Sequence, residues 1–137
     1  MKQFKNIMLI DDDPINNLIS SKTIQIFDPE VSITEYDDPS AALEYLKAQS
    51  KERNQNLPDV IFLDINMPVI NGWNFLEEYK HLLQYLNKDI ELFLLTSSTN
   101  HKDMQKAKSF PIITHYISKP LTIEGIKSIV NLHYPKK

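Results

Sequence analysis

The chain has 137 residues, of which 42% are hydrophobic and 24% charged, with a formal net charge of -3 and no cysteine. That length points to one domain around a single core, and the mild acidity argues against a general nucleic-acid binder, which needs a concentrated basic face. Without cysteine there are no disulfides and no thiol chemistry, and no apolar run approaches the roughly 20 residues of a membrane helix.

The N-terminal apolar run is cut by Asp11 before it reaches signal-peptide length, so the expected location is the cytoplasm. That run, "NIMLI" (6–10), reads as a strand and empties into three consecutive aspartates. Asp13 then stands where a helix N-cap belongs, with Pro14 at the first helical position. Capping is the preferred role for Asp13 over metal binding. The helix "PINNLISSKTIQIF" places Ile15, Leu18, Ile19 and Ile26 on one side, which is expected to face the core. "VSITEY" (31–36) is a mixed, edge-like strand, and "DDPSAALEYLKAQ" repeats the cap-and-proline signature with Asp38 and Pro39. Ala42, Leu43 and Leu46 form its core stripe.

A polar loop, longest over residues 49–57, leads to "DVIFLD" (59–64), a continuously apolar strand of the doubly covered kind. "GWNFLEEYKHLLQYL" carries Phe75, Leu76, Tyr79, Leu82, Leu83 and Leu86 at helical spacing. "ELFLLTS" (91–97) is again continuous, whereas "NHKDMQKAKS" is a weak helix with little but Met104 and Ala107 to bury. "THYIS" (114–118) is a second mixed strand. A last helix, "TIEGIKSIVNLHY", offers Ile123, Ile126, Ile129, Val130 and His133. Five alternations of strand and helix predict an α/β fold with a doubly wound, five-stranded parallel sheet in the order 2-1-3-4-5. In that order strands one and three are neighbours, and the ligand crevice opens at their carboxyl ends.

The residues that leave those carboxyl ends are all polar: Asp11 and Asp12 from strand one, Asp64 from strand three, Thr96 and Ser97 from strand four, and Lys119 from strand five. Two carboxylates about 4 Å apart repel by roughly 4 kcal/mol at an effective dielectric near 20. A divalent ion together with one lysine balances three carboxylates. Hard oxygen ligands suit Mg²⁺, with Mn²⁺ as a second choice. His81, His101, His115 and His133 are scattered and form no zinc-type cluster. A carboxylate beside such a metal and a lysine is a nucleophile able to form an aspartyl phosphate.

With "LIDDD", "LDINMP", "LLTSS" and "YISKP" in order, each after an expected strand, the chain resembles the receiver domains of two-component response regulators, over about residues 5–132. The resemblance implies the flavodoxin-like (receiver) fold, Asp64 as phosphoacceptor, and Asp11 and Asp12 as metal-binding acids. It further implies the backbone carbonyl of Asn66 as a metal ligand, Thr96 and Lys119 as partners of the phosphoryl group, and Thr96 with Tyr116 as the switch. Met67, Pro68 and Gly72 continue the family's loop pattern, while "SFPIITHYI" lacks the glycines often found before the aromatic. A cis Lys119–Pro120 bond, aiming the lysine into the crevice, is expected.

The whole of 1–137 is thus expected to be one receiver without an output domain, and not an enzyme beyond promoting its own phosphorylation and dephosphorylation. A histidine kinase or histidine phosphotransfer protein would supply the phosphoryl group, and an unknown protein target would read the surface of helix four, strand five and helix five. Nucleic acid and membrane insertion are not expected. Three rival readings compete with this one. A Mg²⁺-dependent phosphohydrolase of the haloacid dehalogenase type wants a second acid two residues past the nucleophile, where this chain has Asn66. A flavodoxin-like cofactor binder would need a phosphate-cradling loop where three aspartates stand. A phosphorylation-independent docking module would have no use for the complete set of acids and lysine.

Overall fold

The computed structural model describes residues 4–65, 72–96 and 101–133, as backbone alone at 96, 101–104 and 130–133. Among the described residues five strands alternate with five α-helices. The strands are β1 (Asn6–Ile10), β2 (Ser32–Tyr36), β3 (Val60–Asp64), β4 (Glu91–Thr96) and β5 (His115–Ser118). The helices are α1 (Pro14–Phe27), α2 (Pro39–Ser50), α3 (Gly72–Leu82), α4 (His101–Lys108) and α5 (Ile123–His133). All strand pairs are parallel and the order is β2-β1-β3-β4-β5, as the run pattern predicts.

The three central strands are apolar because both of their faces are covered. Every residue of β3 is buried, and the sheet divides the core into two clusters. One lies against α2 and α3 and holds Met8, Leu46, Ile61, Phe75, Tyr79 and Leu94. The other holds Leu9, Ile24, Phe62, Phe93, Ile126 and Ile129, from the sheet, α1 and α5. Ala42, Leu43 and Leu46 of α2 are buried as expected, as is Ala107 of α4. In α3 the expected stripe is buried through Leu82, after which the chain tightens into a 3-10 turn at Leu83–Tyr85 instead of continuing as α-helix. The long loop before β3 is tied to that turn: Gln55 Nε2 donates to the Tyr85 carbonyl at 2.9 Å, and the Asn87 amide to Gln55 Oε1 at 2.9 Å.

Both expected helix caps are present. Asp13 Oδ1 accepts from the Ile15 amide at 2.9 Å and Asp38 Oδ1 from the Ser40 amide at 2.9 Å, each stabilising its helix by about 1 kcal/mol.

Helix α1 corrects the sequence expectation. Ile15, Leu18, Ile19 and Ile26 do not face the core; they are 66%, 49%, 47% and 70% exposed. The buried positions are Asn17, Ser21 and Ile24. Periodicity gives the spacing of a stripe but not the direction it faces. Here the inward side of the first turns meets backbone carbonyls at strand ends, which demand donors rather than hydrocarbon.

Candidate functional site

The polar cluster sits where the strands run out. Asp11 follows β1, and its amide donates to the Tyr36 carbonyl at 3.0 Å, the last rung joining β1 to β2. Its Oδ1 accepts the Asp13 amide at 2.9 Å, which bends the acidic loop back on itself. Asp64 is the final residue of β3, in register with Leu95 of β4. Asp11 and Asp64 are only 5% and 3% exposed. One carboxylate oxygen each from Asp11, Asp12 and Asp64 lies within 4.8 Å of the other two.

Lys119 reaches into this group. Its Nζ lies 2.9 Å from Asp11 Oδ2 and 3.2 Å from Asp64 Oδ2, and the Lys119–Pro120 bond is cis, as expected. Burial by itself would lower the lysine's pKa. The hydrogen bond and charge of Asp11 and the charge of Asp64 outweigh that and hold it above the ordinary value. The Asp12 carboxyl is raised, by burial first and then by the negative charge of Asp11. Among the described residues, three acids thus gather around one lysine. Carboxylates at this separation repel by about 3–4 kcal/mol per pair at an effective dielectric near 20.

The donor set fits a hard divalent cation: carboxylate oxygens within reach of one another, from three acids of which two are nearly out of solvent. Gly72 explains how α3 comes so near. A Cβ there would stand 2.5 Å from Ile65 Cα and 2.9 Å from the Asp64 carbonyl, so only glycine lets the helix start against the end of β3. Its amide donates to the Ile65 carbonyl at 3.1 Å.

Of the residues expected at the site, the structure brings Asp11, Asp12, Asp64 and Lys119 together. The backbone of Thr96 ends β4 opposite Ser118, while its side chain lies outside the described residues. Asn66, Met67, Pro68 and Ser97 also lie outside them. Tyr116 is half-buried on β5, in register with Leu94, and packs against the core cluster on the α3 side. Among the histidines, His81 and His115 are exposed and distribute as surface residues. Sequence reading missed Asn17, a buried side chain on α1 that donates into the strand ends.

The model of the response regulator receiver domain matches residues 7–131. The chain belongs to that family. Relatives agree with the assignment. The receiver is 27% identical over 124 residues to the probable methanogenesis regulatory protein FilR2 of Methanothrix harundinacea (strain 6Ac), covering 90% of this chain and 77% of that protein. It is 27% identical over 95 residues to sporulation initiation phosphotransferase F of Bacillus subtilis (strain 168), covering 69% of each. A two-component response regulator from Cytophaga hutchinsonii superimposes with a TM-score of 0.84 at 29% identity, over 98% of this chain and 100% of that one. The receiver is thus a module of two-component signalling. Among the described residues no helix is long and apolar enough to cross a membrane.

Proposed function

We propose that this receiver accepts a phosphoryl group on Asp64 from a histidine kinase or a histidine phosphotransfer protein and then acts as a binding switch. The observation that carries the reading is the Asp64 carboxylate, 3% exposed at the crevice floor, 3.2 Å from Lys119 and grouped with Asp11 and Asp12. In the transfer an Asp64 oxygen attacks phosphorus, an O–P bond forms, and the N–P bond to the donor imidazole breaks. The leaving imidazole keeps the electron pair and takes a proton from water.

Asp11, Asp12 and Asp64 would hold Mg²⁺, or Mn²⁺, with the Asn66 carbonyl as a further ligand. Bound there, the ion would offset the excess negative charge so that an anionic phosphoryl group can approach. Lys119, freed from one carboxylate, would pair with a phosphoryl oxygen, and the Thr96 hydroxyl would donate to another. The donor protein would rest on the exposed Ile15, Leu18 and Ile19, since Ile19, Asn16 and Ser20 share a cleft with Lys119. Phosphorylated Asp64 carries about two negative charges. Movement of Thr96 toward it, with Tyr116 filling the space Thr96 leaves, would change the surface of α4, β5 and α5 that a downstream protein reads. The protein would serve as a cytoplasmic switch and turn over no substrate other than its own phosphoryl group.

The test is incubation with Mg²⁺ and acetyl phosphate, followed by intact mass and peptide mapping. One added phosphoryl group on the peptide containing Asp64, absent without Mg²⁺ and absent from Asp64→Asn, is expected. Stoichiometric labelling of Asp64→Asn would refute the acceptor.

A further inference from the structure

Asn17 is an asparagine in the middle of a helix, 3% exposed, on the side of α1 that faces the sheet. A buried primary amide must find partners, or its desolvation costs about 1–3 kcal/mol. Its Nδ2 donates to the Asp11 carbonyl at 3.0 Å and to the Tyr36 carbonyl at 3.1 Å. The Tyr36 oxygen also accepts the Asp11 amide at 3.0 Å. One side-chain amide thus ties the carboxyl ends of β1 and β2 to each other and to the first turns of α1.

The Asp11 carbonyl belongs to a residue of the site, and the Tyr36 carbonyl is bonded to that residue's amide. Asp11 sends Oδ1 to the Asp13 amide and Oδ2 to Lys119, so its carboxylate direction follows from where its backbone is pinned. The mutual repulsion of the three acids pushes Asp11 away from Asp64. The hold on its backbone opposes that push. We infer that Asn17 is a positioning residue for the metal site, keeping the Asp11 carboxylate on the Asp64 side of the crevice against charge repulsion. The inference rests on the proposed role of Asp11, Asp12 and Asp64 as metal ligands. Asn17 itself touches neither metal nor phosphoryl group.

A purely structural asparagine would cost stability when replaced but leave the folded protein's metal affinity intact. The experiment separates these cases with Asn17→Ala, the milder Asn17→Ser, which keeps one hydroxyl donor, and Ile24→Ala, a core truncation on the same helix. Each is titrated with Mg²⁺ under conditions where circular dichroism shows it folded, and the Asp13 amide resonance is followed in parallel. Expected are a roughly tenfold weaker Mg²⁺ affinity for Asn17→Ala, a smaller loss for Asn17→Ser, and a displaced Asp13 resonance in both, with Ile24→Ala unchanged on both readouts. Parental Mg²⁺ affinity in a folded Asn17→Ala, or in Asn17→Ser should the alanine variant not fold, overturns the positioning role. Failure of both variants to fold also overturns it, assigning Asn17 to the fold alone. If the parent chain binds no Mg²⁺, the metal reading falls and this inference falls with it, a result distinct from equal binding by parent and variants.

Discussion

Strand β3 has an aspartate at each end, Asp59 just before its first residue and Asp64 as its last, and the two live in opposite circumstances. At the amino end Asp59 Oδ2 accepts the Lys5 and Asn6 amides at 2.7 and 2.8 Å, and Oδ1 meets Lys88 Nζ at 2.6 Å. Its backbone donates to Asn6 and accepts from Glu91, so one residue lashes together the starts of β1, β3 and β4. At the carboxyl end Asp64 shares a single lysine with Asp11 and crowds against a third acid. The same side chain on the same strand stabilises the fold at one end and strains it at the other. What differs is the balance of charge: among the described residues Asp59 has its own lysine, whereas Asp11, Asp12 and Asp64 gather around one. Such crowding is relieved by protonation or by a bound cation.

The sharpest break of this contrast is Asp59→Ala. It removes an acceptor from two backbone amides and leaves Lys88 without its carboxylate, so a loss of about 3 kcal/mol is expected, or roughly 10 °C in melting temperature. Labelling of the folded variant by acetyl phosphate should not change. A stability equal to the parent's would show that the amino-end contacts are ornamental.

Asp64→Asn should act in the reverse sense. Without divalent ions it removes two repulsions at the cost of one attraction to Lys119, so denaturant unfolding should show a gain of about 1–2 kcal/mol. Added Mg²⁺ stabilises the parent in proportion to the logarithm of its concentration above Kd and should reverse the order of the two proteins. A destabilised Asp64→Asn in chelator would mean that the crevice is as well balanced as the amino end.

Legibility in the sequence follows the range of the forces involved. Asp11, Asp12 and Asp64 stand directly after apolar runs on adjacent strands, and Lys119, leaving β5 on the far side of β4, reaches them with its long side chain. Helix α2 was readable because Ala42, Leu43 and Leu46 match both the period and the inward direction. The equally periodic stripe of α1 points outward. Asn17 supplied the only local hint, a polar residue opposite an apolar stripe beside two strand ends whose last carbonyls need donors. The role of Asp59 was not legible, because Lys88, Lys5 and Asn6 come to it only through tertiary packing.

The smallest expected effect separates the two ends by pH. Burial would raise the Asp59 pKa, but the hydrogen bonds from Lys88, Asn6 and Lys5 outweigh it and hold the carboxyl below its ordinary value. Its contribution is therefore complete above about pH 4 and is lost as pH falls through the lower folded value. Asp12 is displaced upward, so the folded state binds its proton more readily than the unfolded state, and stability from that group grows as pH falls. Lys119, raised, contributes fully below its ordinary pKa of about 10.4 and loses that contribution as pH climbs through the higher folded value. The acid limb of a stability profile is thus a competition in which Asp59 loses and Asp12 gains, while on the alkaline limb Lys119 adds to the loss from Tyr79 and Tyr36, whose hydroxyls burial raises. Asp59→Asn should flatten the acid limb, and Asp12→Asn should steepen it by a lesser amount because that side chain is closer to solvent. Urea unfolding between about pH 3 and 7 measures both. If Asp12→Asn leaves the limb unchanged, neither burial nor the charge of Asp11 raises that carboxyl in the folded chain, and the contrast in charge between the two ends of β3 loses its support.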